Sequence, residues 1–313
     1  MDAPTAAGLA LGAVADLLLA DPRRGHPVAG FGSVAAALER RTWRDSRAAG
    51  AGYALALTGA AAAIGSALDR RTRRHPVVRL VATAATTWTV LGGTSLGRAA
   101  ATMQRELAAG DLAAARAALP ALAGRDPRRL DEAGLARATV ESVAENTSDA
   151  AVAPLFWGAV AGMPGLLAYR AVNTLDAMVG HRSPRYERFG WAAARLDDLL
   201  NLPGSRLTAA LATLLGGDPT AARHSWRRDA GRHPSPNAGP VEAAFAGALG
   251  VRLGGTTVYA GRVEQRPVLG DGPPPGQHDI SRAIELAGRV GRAAAAVAVL
   301  IALPPSRRRR RPS

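Results

Sequence analysis

Cysteine and lysine are both missing from this chain of 313 residues, and aromatic residues make up only 4% of it. Without cysteine there are no disulfides, no thiolate nucleophile, no Cys-ligated zinc and no iron–sulfur cluster. Without lysine there is no Walker A loop and no Schiff base to pyridoxal phosphate. All 39 basic residues are arginine, as coding bias in a GC-rich genome would give. The six histidines are scattered, with no His-x-x-x-His pair, so no zinc site is expected. Strand signals are sparse and centre on Thr256-Thr257-Val258-Tyr259. The first residues, Met1-Asp2-Ala3-Pro4, lack a basic region, so no cleavable signal peptide is expected.

The chain is 48% hydrophobic, mostly through alanine, leucine, valine and glycine, and carries a net charge of +14. That charge raises the question of nucleic acid, but its distribution argues against it. Arginines gather between apolar runs, at Arg70, Arg71, Arg73 and Arg74, and at the end, Arg307 to Arg311. They are not interleaved with aromatics, so no nucleic-acid partner is expected. Basic clusters beside apolar segments are typical of the cytoplasmic loops of a membrane protein.

Uncharged runs cover Ala48–Leu68 (21 residues), Leu80–Gly97 (18) and Ala150–Tyr169 (20). Each is near the roughly 20 residues that a spanning helix needs. Leu286–Leu303 would span if Arg289 and Arg292 snorkel. Ala3–Ala20 is apolar except for Asp16, and Leu199–Gly217 except for Arg206. The competing reading is a soluble all-α protein with buried helices. The expected fold is all-α, a single membrane-embedded domain over 1–313 with about four to six membrane helices, polar helical loops and a disordered arginine tail at 304–313. The expected location is a bacterial inner membrane, multi-pass. Gly92-Gly93 and Gly162-Met163-Pro164-Gly165 suggest kinks or re-entrant turns. The Arg70–Arg74 cluster and the tail are expected to be cytoplasmic. Arg40, Arg41, Arg44 and Arg47 lie one span earlier, so one segment must enter and leave by the same face.

Glu141-Ser142-Val143-Ala144-Glu145-Asn146-Thr147-Ser148-Asp149 is the most informative stretch. It sets three carboxylates, an amide and three hydroxyls immediately before an apolar run. If residues 137–149 are helical, Glu141, Glu145 and Asp149 share one face. Like charges so spaced destabilise a helix by roughly 0.2–0.5 kcal/mol per pair, which a cation or guanidinium would reverse. The plain alternative is a solvated acidic face.

Three further polar clusters stand out. Arg170, Asn173 and Asp176 fall within two turns of one helix. Arg195, Asp197 and Asp198 precede an apolar segment, and on a helix only one of the two aspartates faces a given site. In His233-Pro234-Ser235-Pro236-Asn237-Ala238-Gly239-Pro240-Val241-Glu242 the prolines restrict a loop that would present Ser235 and Asn237. The plain readings are a cap, an interfacial salt-bridge group and a bare turn.

Taken together, Glu141–Asp149, Ala153-Pro154-Leu155-Phe156, Tyr169–Asp176, Ala194-Arg195-Leu196-Asp197-Asp198 and Ser235–Gly239 resemble the cobinamide-phosphate synthase family of cobalamin biosynthesis. Asp21-Pro22-Arg23, His26-Pro27-Val28, Leu253-Gly254-Gly255 and Tyr259-Ala260-Gly261 are similar to it as well, so the likeness runs from about residue 10 to 270. Where that family often has glycine after the first motif, this chain has Ala150.

The resemblance implies a multi-pass membrane ligase. It would join aminopropanol, usually as its phosphate, to the free propionate of adenosylcobyric acid, with ATP as co-substrate. On that footing Mg²⁺ is expected on Glu145, Asp149 and Asp197, with Asp176 as an alternative, because Mg²⁺ prefers one or two carboxylates plus water. Glu141, Glu145 and Asp149 are the expected catalytic residues, with Glu141 as base to the amine. Arg170 and Arg195 suit phosphate, since guanidinium matches its oxygens bidentately. Asn173, Asp176, Asp198, Ser235 and Asn237 complete the expected substrate-binding set. Contact with membrane lipid and with later corrinoid-assembly enzymes is also expected. The rival from another class is a transporter or non-catalytic corrinoid-binding membrane protein, since pumps also carry intramembrane carboxylates.

Overall fold

A computed structural model describes residues 1–21, 25–259 and 262–303. Pro22 and Arg23 of the early motif, Ala260-Gly261 of the late one and the tail 304–313 lie outside the described residues. The chain is nearly all helical. Twelve α-helices occur among the described residues: α1 Ala3–Leu19, α2 Pro27–Thr42, α3 Arg47–Thr72, α4 Pro76–Val90, α5 Gly93–Ala108, α6 Leu112–Ala118, α7 Glu132–Thr147, α8 Ala153–Leu175, α9 Trp191–Leu215, α10 Pro219–Asp229, α11 Ala238–Leu249 and α12 Gln277–Ala302.

Local chemistry sets many of these boundaries. Asp111, Asp131 and Asp218 each accept a bond from a first-turn N–H and so cap α6, α7 and α10. Proline opens α2, α4 and α10, where its missing N–H costs nothing. A single hairpin, β1 Leu253–Tyr259 with β2 Arg262–Leu269, supplies the only strands described. The sequence signal covered just the end of β1. β2 contains Pro267 and three charged residues, which hid it. The hairpin is docked on α7, where Arg137 donates to Gly254 O at 2.7 Å and Thr256 O at 2.6 Å.

Four of the expected spans are continuous helix: Ala3–Ala20 is nearly all α1, Ala48–Leu68 lies within α3, Leu199–Gly217 is nearly all α9, and Leu286–Leu303 lies at the end of α12. Two are not. Leu80–Gly97 is broken at Leu91-Gly92, where α4 ends and α5 begins. Ala150–Tyr169 is broken at Gly162, whose φ of 66° and ψ of −148° suit glycine alone. Pro164 then opens a second helical arm, and the chain reverses. A Cβ on Gly165 would meet the Trp157 carbonyl oxygen at 2.3 Å, so only glycine fits where the arms cross. The Tyr169 hydroxyl reaches Asp149 O at 3.2 Å. A continuous helix would hold those residues about 30 Å apart.

The hairpin ends where it began, whereas α3, the segment between the two arginine clusters, is continuous and does not double back. Two helical stretches, Arg47–Thr72 and Glu132–Gly180, are long and apolar enough to cross a membrane, and the second contains the reversal. α3 sets the exposed Arg40, Arg41, Arg44 and Arg47 at one end and Arg70, Arg71, Arg73 and Arg74 at the other, about 39 Å away along its axis. At the far end the buried Arg79 ties α1, α3 and α4 together through Asp2 (3.0 Å) and Asp69 (2.9 Å). Large apolar side chains face outward along this half: Leu18, Val77, Leu214 and Leu300 are each at least 70% exposed. In the polar half every residue of α11 is buried, packed against α7, α9 and α10.

Candidate functional site

The two feet of the α8 hairpin stand side by side, and each is a π turn. Ser148–Val152 precedes the outgoing arm and carries Asp149, while Asp176–Gly180 follows the returning arm and carries Asp176. Such bulges widen the helix and redirect side chains. α9 crosses beneath, with Gly204 against Ala153, and brings Asp197, Asp198 and Asn201 to the same place. The loop before α11 adds Ser235 and Asn237. The result is a polar cavity of about 140 Å³ whose wall includes Glu145, Asp149, Asp176, Asp197, Asp198 and Asn201.

Hydrogen bonds hold these groups in place. Asn201 donates to Asp197 Oδ2 at 2.9 Å, and Asn173 to Asp197 Oδ1 at 3.4 Å. The Tyr169 hydroxyl bonds Asn201 Oδ1 at 2.7 Å, which orients that amide. Arg170 donates to Asn173 at 3.4 Å and faces both Asp149 and Asp21. Burial pushes the Asp197 carboxyl up to about 6 against the two asparagine bonds, and Asp198 and Glu145 add to the rise. Burial also raises Asp198, opposed by Arg195. Anionic groups packed this densely favour a cation or protons among them.

Of the residues singled out in the sequence, Glu145, Asp149, Asp176, Asp197, Asp198, Ser235 and Asn237 line the cavity together. Arg170 and Asn173 stand behind it. Arg195, on an exposed side chain, reaches it only through an ion pair with Asp198 at 3.6 Å. Asn237 also binds the loop to α9, accepting from Ser205 (2.9 Å) and Arg206 (3.0 Å) and donating to Asp198 O (2.8 Å). Ser235 Oγ accepts from the backbone of Asn237 and Ala238 at the start of α11. The plain reading of a turn at Ser235 and Asn237 therefore holds alongside the wall positions, whereas the cap expected at Asn173 and Asp176 is not formed, Asn173 bonding Asp197 instead.

Glu141 is not in this cavity. It is buried, ion-paired with the buried Arg125, and accepts from Gly254 N at 2.7 Å. Glu141 and Glu145 stand one turn apart on unbroken α7, but of the three acids only Glu145 and, past the π turn at Ser148, Asp149 reach the cavity wall. Around Glu141 lies a second charged group that the sequence pattern did not reveal. His233 Nε2 stands 4.0 Å from Glu242 Oε2, both buried, and Arg266 acts on each of them. Burial, then Glu141 and Glu145, push Glu242 well above the usual carboxylate range. Burial, then Arg266, lowers His233. The one available signal was Glu242 inside the otherwise uncharged helix 238–249.

Among the described residues no three histidine, aspartate or glutamate side chains converge closely enough to cage a metal ion alone. The donor set in the cavity is nonetheless all hard oxygen, which suits Mg²⁺ shared between one or two carboxylates, waters and a phosphate ligand.

Residues 9–287 match the family model described as CobD/Cbib protein. The chain is 54% identical over 300 residues to the cobalamin biosynthesis protein CobD of Mycobacterium tuberculosis, covering 95% of each chain. It is 46% identical over 280 residues to the Chromobacterium violaceum protein of the same name, covering 88% of this chain and 89% of that one. The Rhodobacter capsulatus protein of that name is 46% identical over 270 residues, 84% of this chain and 85% of its own. No solved structure matches the chain.

Proposed function

The chain belongs to the CobD/Cbib family of cobalamin biosynthesis, and from that premise we propose that it is a membrane-embedded adenosylcobinamide-phosphate synthase. It would use ATP to join aminopropanol, or its phosphate, to the free propionate of adenosylcobyric acid. The observation that carries this reading is the meeting of Glu145, Asp149, Asp176, Asp197 and Asp198, from three separate stretches of sequence, around one small polar cavity.

A carboxylate is a poor acyl donor because its leaving group would be oxide. In the proposed sequence the propionate oxygen takes the γ-phosphoryl group of ATP, releasing ADP. The amine then attacks the acyl carbon and expels inorganic phosphate, losing one proton. Mg²⁺, when bound, supplies charge neutralisation for the phosphates. Glu145, Asp149 and Asp197 are the residues that would hold it. Asp176 lines the cavity and makes no side-chain hydrogen bond among the described residues, so it is assigned the amine proton in place of Glu141. Arg170 supports the site from behind and Arg195 meets phosphate at the rim. At about 140 Å³ the cavity admits the end of a substrate arm, so the corrin ring would lie across its mouth.

The outward apolar side chains and the re-entrant hairpin support a multi-pass membrane placement. The cavity lies at the end of α3 that carries Arg40, Arg41, Arg44 and Arg47. Arg185 stacks on Trp43 at 4.6 Å and Arg47 on Trp191 at 5.6 Å at that end. An arginine and tryptophan belt of this kind suits the cytoplasmic interface, where ATP is available. Arg70–Arg74 then faces the opposite side, contrary to the expectation from sequence.

The test is turnover in isolated membranes with cobyric acid, aminopropanol phosphate, ATP and Mg²⁺, followed by mass analysis of the corrinoid. Glu145→Gln and Asp149→Asn should each reduce amide formation by about 100-fold or more at unchanged membrane content, as expected when charge stabilisation is removed from a reacting phosphate. Full activity in both variants would overturn the site assignment.

A further inference from the structure

A second and larger cavity, about 820 Å³, opens on the other side of the α7 π turn, between α1, α5 and α12. Its walls are almost wholly apolar, and Val14, Leu17 and Leu300 at its edge are 47%, 48% and 70% exposed. The fissure is therefore continuous with the outward apolar flank. Its charged groups are Asp16, Arg98 and Arg292, and Arg292 stands midway along the α12 wall, which runs from Ile284 to Leu300. Arg98 and Arg292 are exposed, and neither guanidinium makes a hydrogen bond or ion pair among the described residues. Asp16 is 5% exposed and accepts from Thr94 N and Oγ1 at 3.2 Å through Oδ2, while its buried Oδ1 has no hydrogen-bond partner. From these groups one arm of the fissure runs along α1 from Leu17 to Ala10 and along α12 from Arg292 to Leu300, about 10–12 Å at 1.5 Å per residue.

A charged cluster joined to an apolar trough of that length matches one amphiphile standing in a leaflet. We infer that the α1–α5–α12 fissure binds a phosphatidylglycerol-class lipid, with one acyl chain in the trough and its phosphate held by Arg98 and Arg292. Two guanidiniums against one carboxylate leave a single positive charge, which complements a singly anionic headgroup better than a zwitterion. Asp16 Oδ1 then accepts from a headgroup hydroxyl. A lipid seated there would brace the π turn that carries Asp149, since Thr147 and Ala151 form part of the fissure wall.

This inference rests on the membrane placement proposed above, so alkaline extraction of membranes is run first as a separate check of that placement. The full chain is then purified in mild detergent and loaded from mixed micelles of phosphatidylglycerol or phosphatidylethanolamine. Native mass spectrometry counts the lipids retained. One phosphatidylglycerol per chain is expected, retained in preference to phosphatidylethanolamine. Each arginine near an anionic headgroup contributes about fivefold, so Arg98→Ala with Arg292→Ala should weaken retention about thirtyfold. Ala296→Trp, at an exposed wall position, should expel the chain whatever its headgroup. Equal retention of both lipids, or retention unchanged in these variants, would overturn the inference in a protein that still resists alkaline extraction. So would displacement of the lipid by stoichiometric cobyric acid, which would give the fissure to the corrin ring.

Discussion

Replacing Asp197 by asparagine separates what the cavity does for stability from what it does for activity. Burial and the neighbouring acids raise this carboxyl from 3.8 to about 6. Holding it ionised at neutral pH therefore costs the fold about 3 kcal/mol. The substitution keeps the shape and removes the charge. The new amide can still accept the 2.9 Å bond from Asn201 and loses only the weaker 3.4 Å contact from Asn173, a loss of at most about 1 kcal/mol. The variant should thus be more stable than wild type by about 2 kcal/mol at pH 8. The sign fixes the pH window. A raised acid contributes stability that is fully present below 3.8 and is lost as pH rises through about 6. The advantage of the Asp197→Asn variant should therefore grow between those limits, level off above them and vanish near pH 4. Tryptophan fluorescence during heating in detergent at pH 4.5 and pH 8 measures it, and amide formation, assayed in parallel, should be lost. A variant less stable than wild type at pH 8, or a gap equal at both pH values, would refute the argument that this carboxylate is a strained, functional charge.

Two other variants test the scaffold. Gly162→Ala forces a Cβ into a backbone conformation with φ of 66° and against Met1, so it should destabilise the hairpin by about 1–2 kcal/mol or more and lower the yield of folded protein in membranes. An alanine variant with wild-type yield and melting temperature would show that the reversal does not depend on glycine. Arg125→Ala leaves Glu141 buried without its ion pair, a loss of about 3–5 kcal/mol in other buried pairs. It should be rescued in part by a second change, Glu141→Gln, in thermal unfolding. Failure of the double variant to recover any stability would deny that charge pairing is the role of Glu141.

Much of the site was legible before any coordinates. Glu145, Asp149, Asp176, Asp197 and Asp198 stand out because carboxylates beside apolar runs need partners. Glu141 was misassigned for a specific reason. Spacing of four residues places Glu141 one turn before Glu145 on α7, but its partners, Arg125 and Gly254 N, come from distant segments that helical spacing does not reveal. Arg125 and Arg266 were missed because the acids they act on, Glu141 and Glu242, are distant in sequence.

Composition and pattern by themselves determined that the chain is helical, that cysteine and lysine chemistry is excluded and where the acidic and guanidinium groups lie along it. These follow from local rules of residue type and period, which need no knowledge of neighbours in space. The sequence marked Gly162-Met163-Pro164-Gly165 as a kink or a re-entrant turn, and only the tertiary structure decided for full reversal. That reversal brings Asp149 and Asp176 from opposite ends of one segment to the same cavity. Chain reversal depends on a single residue's φ and on what packs against it, and long-range packing of that kind has no periodic signature in sequence.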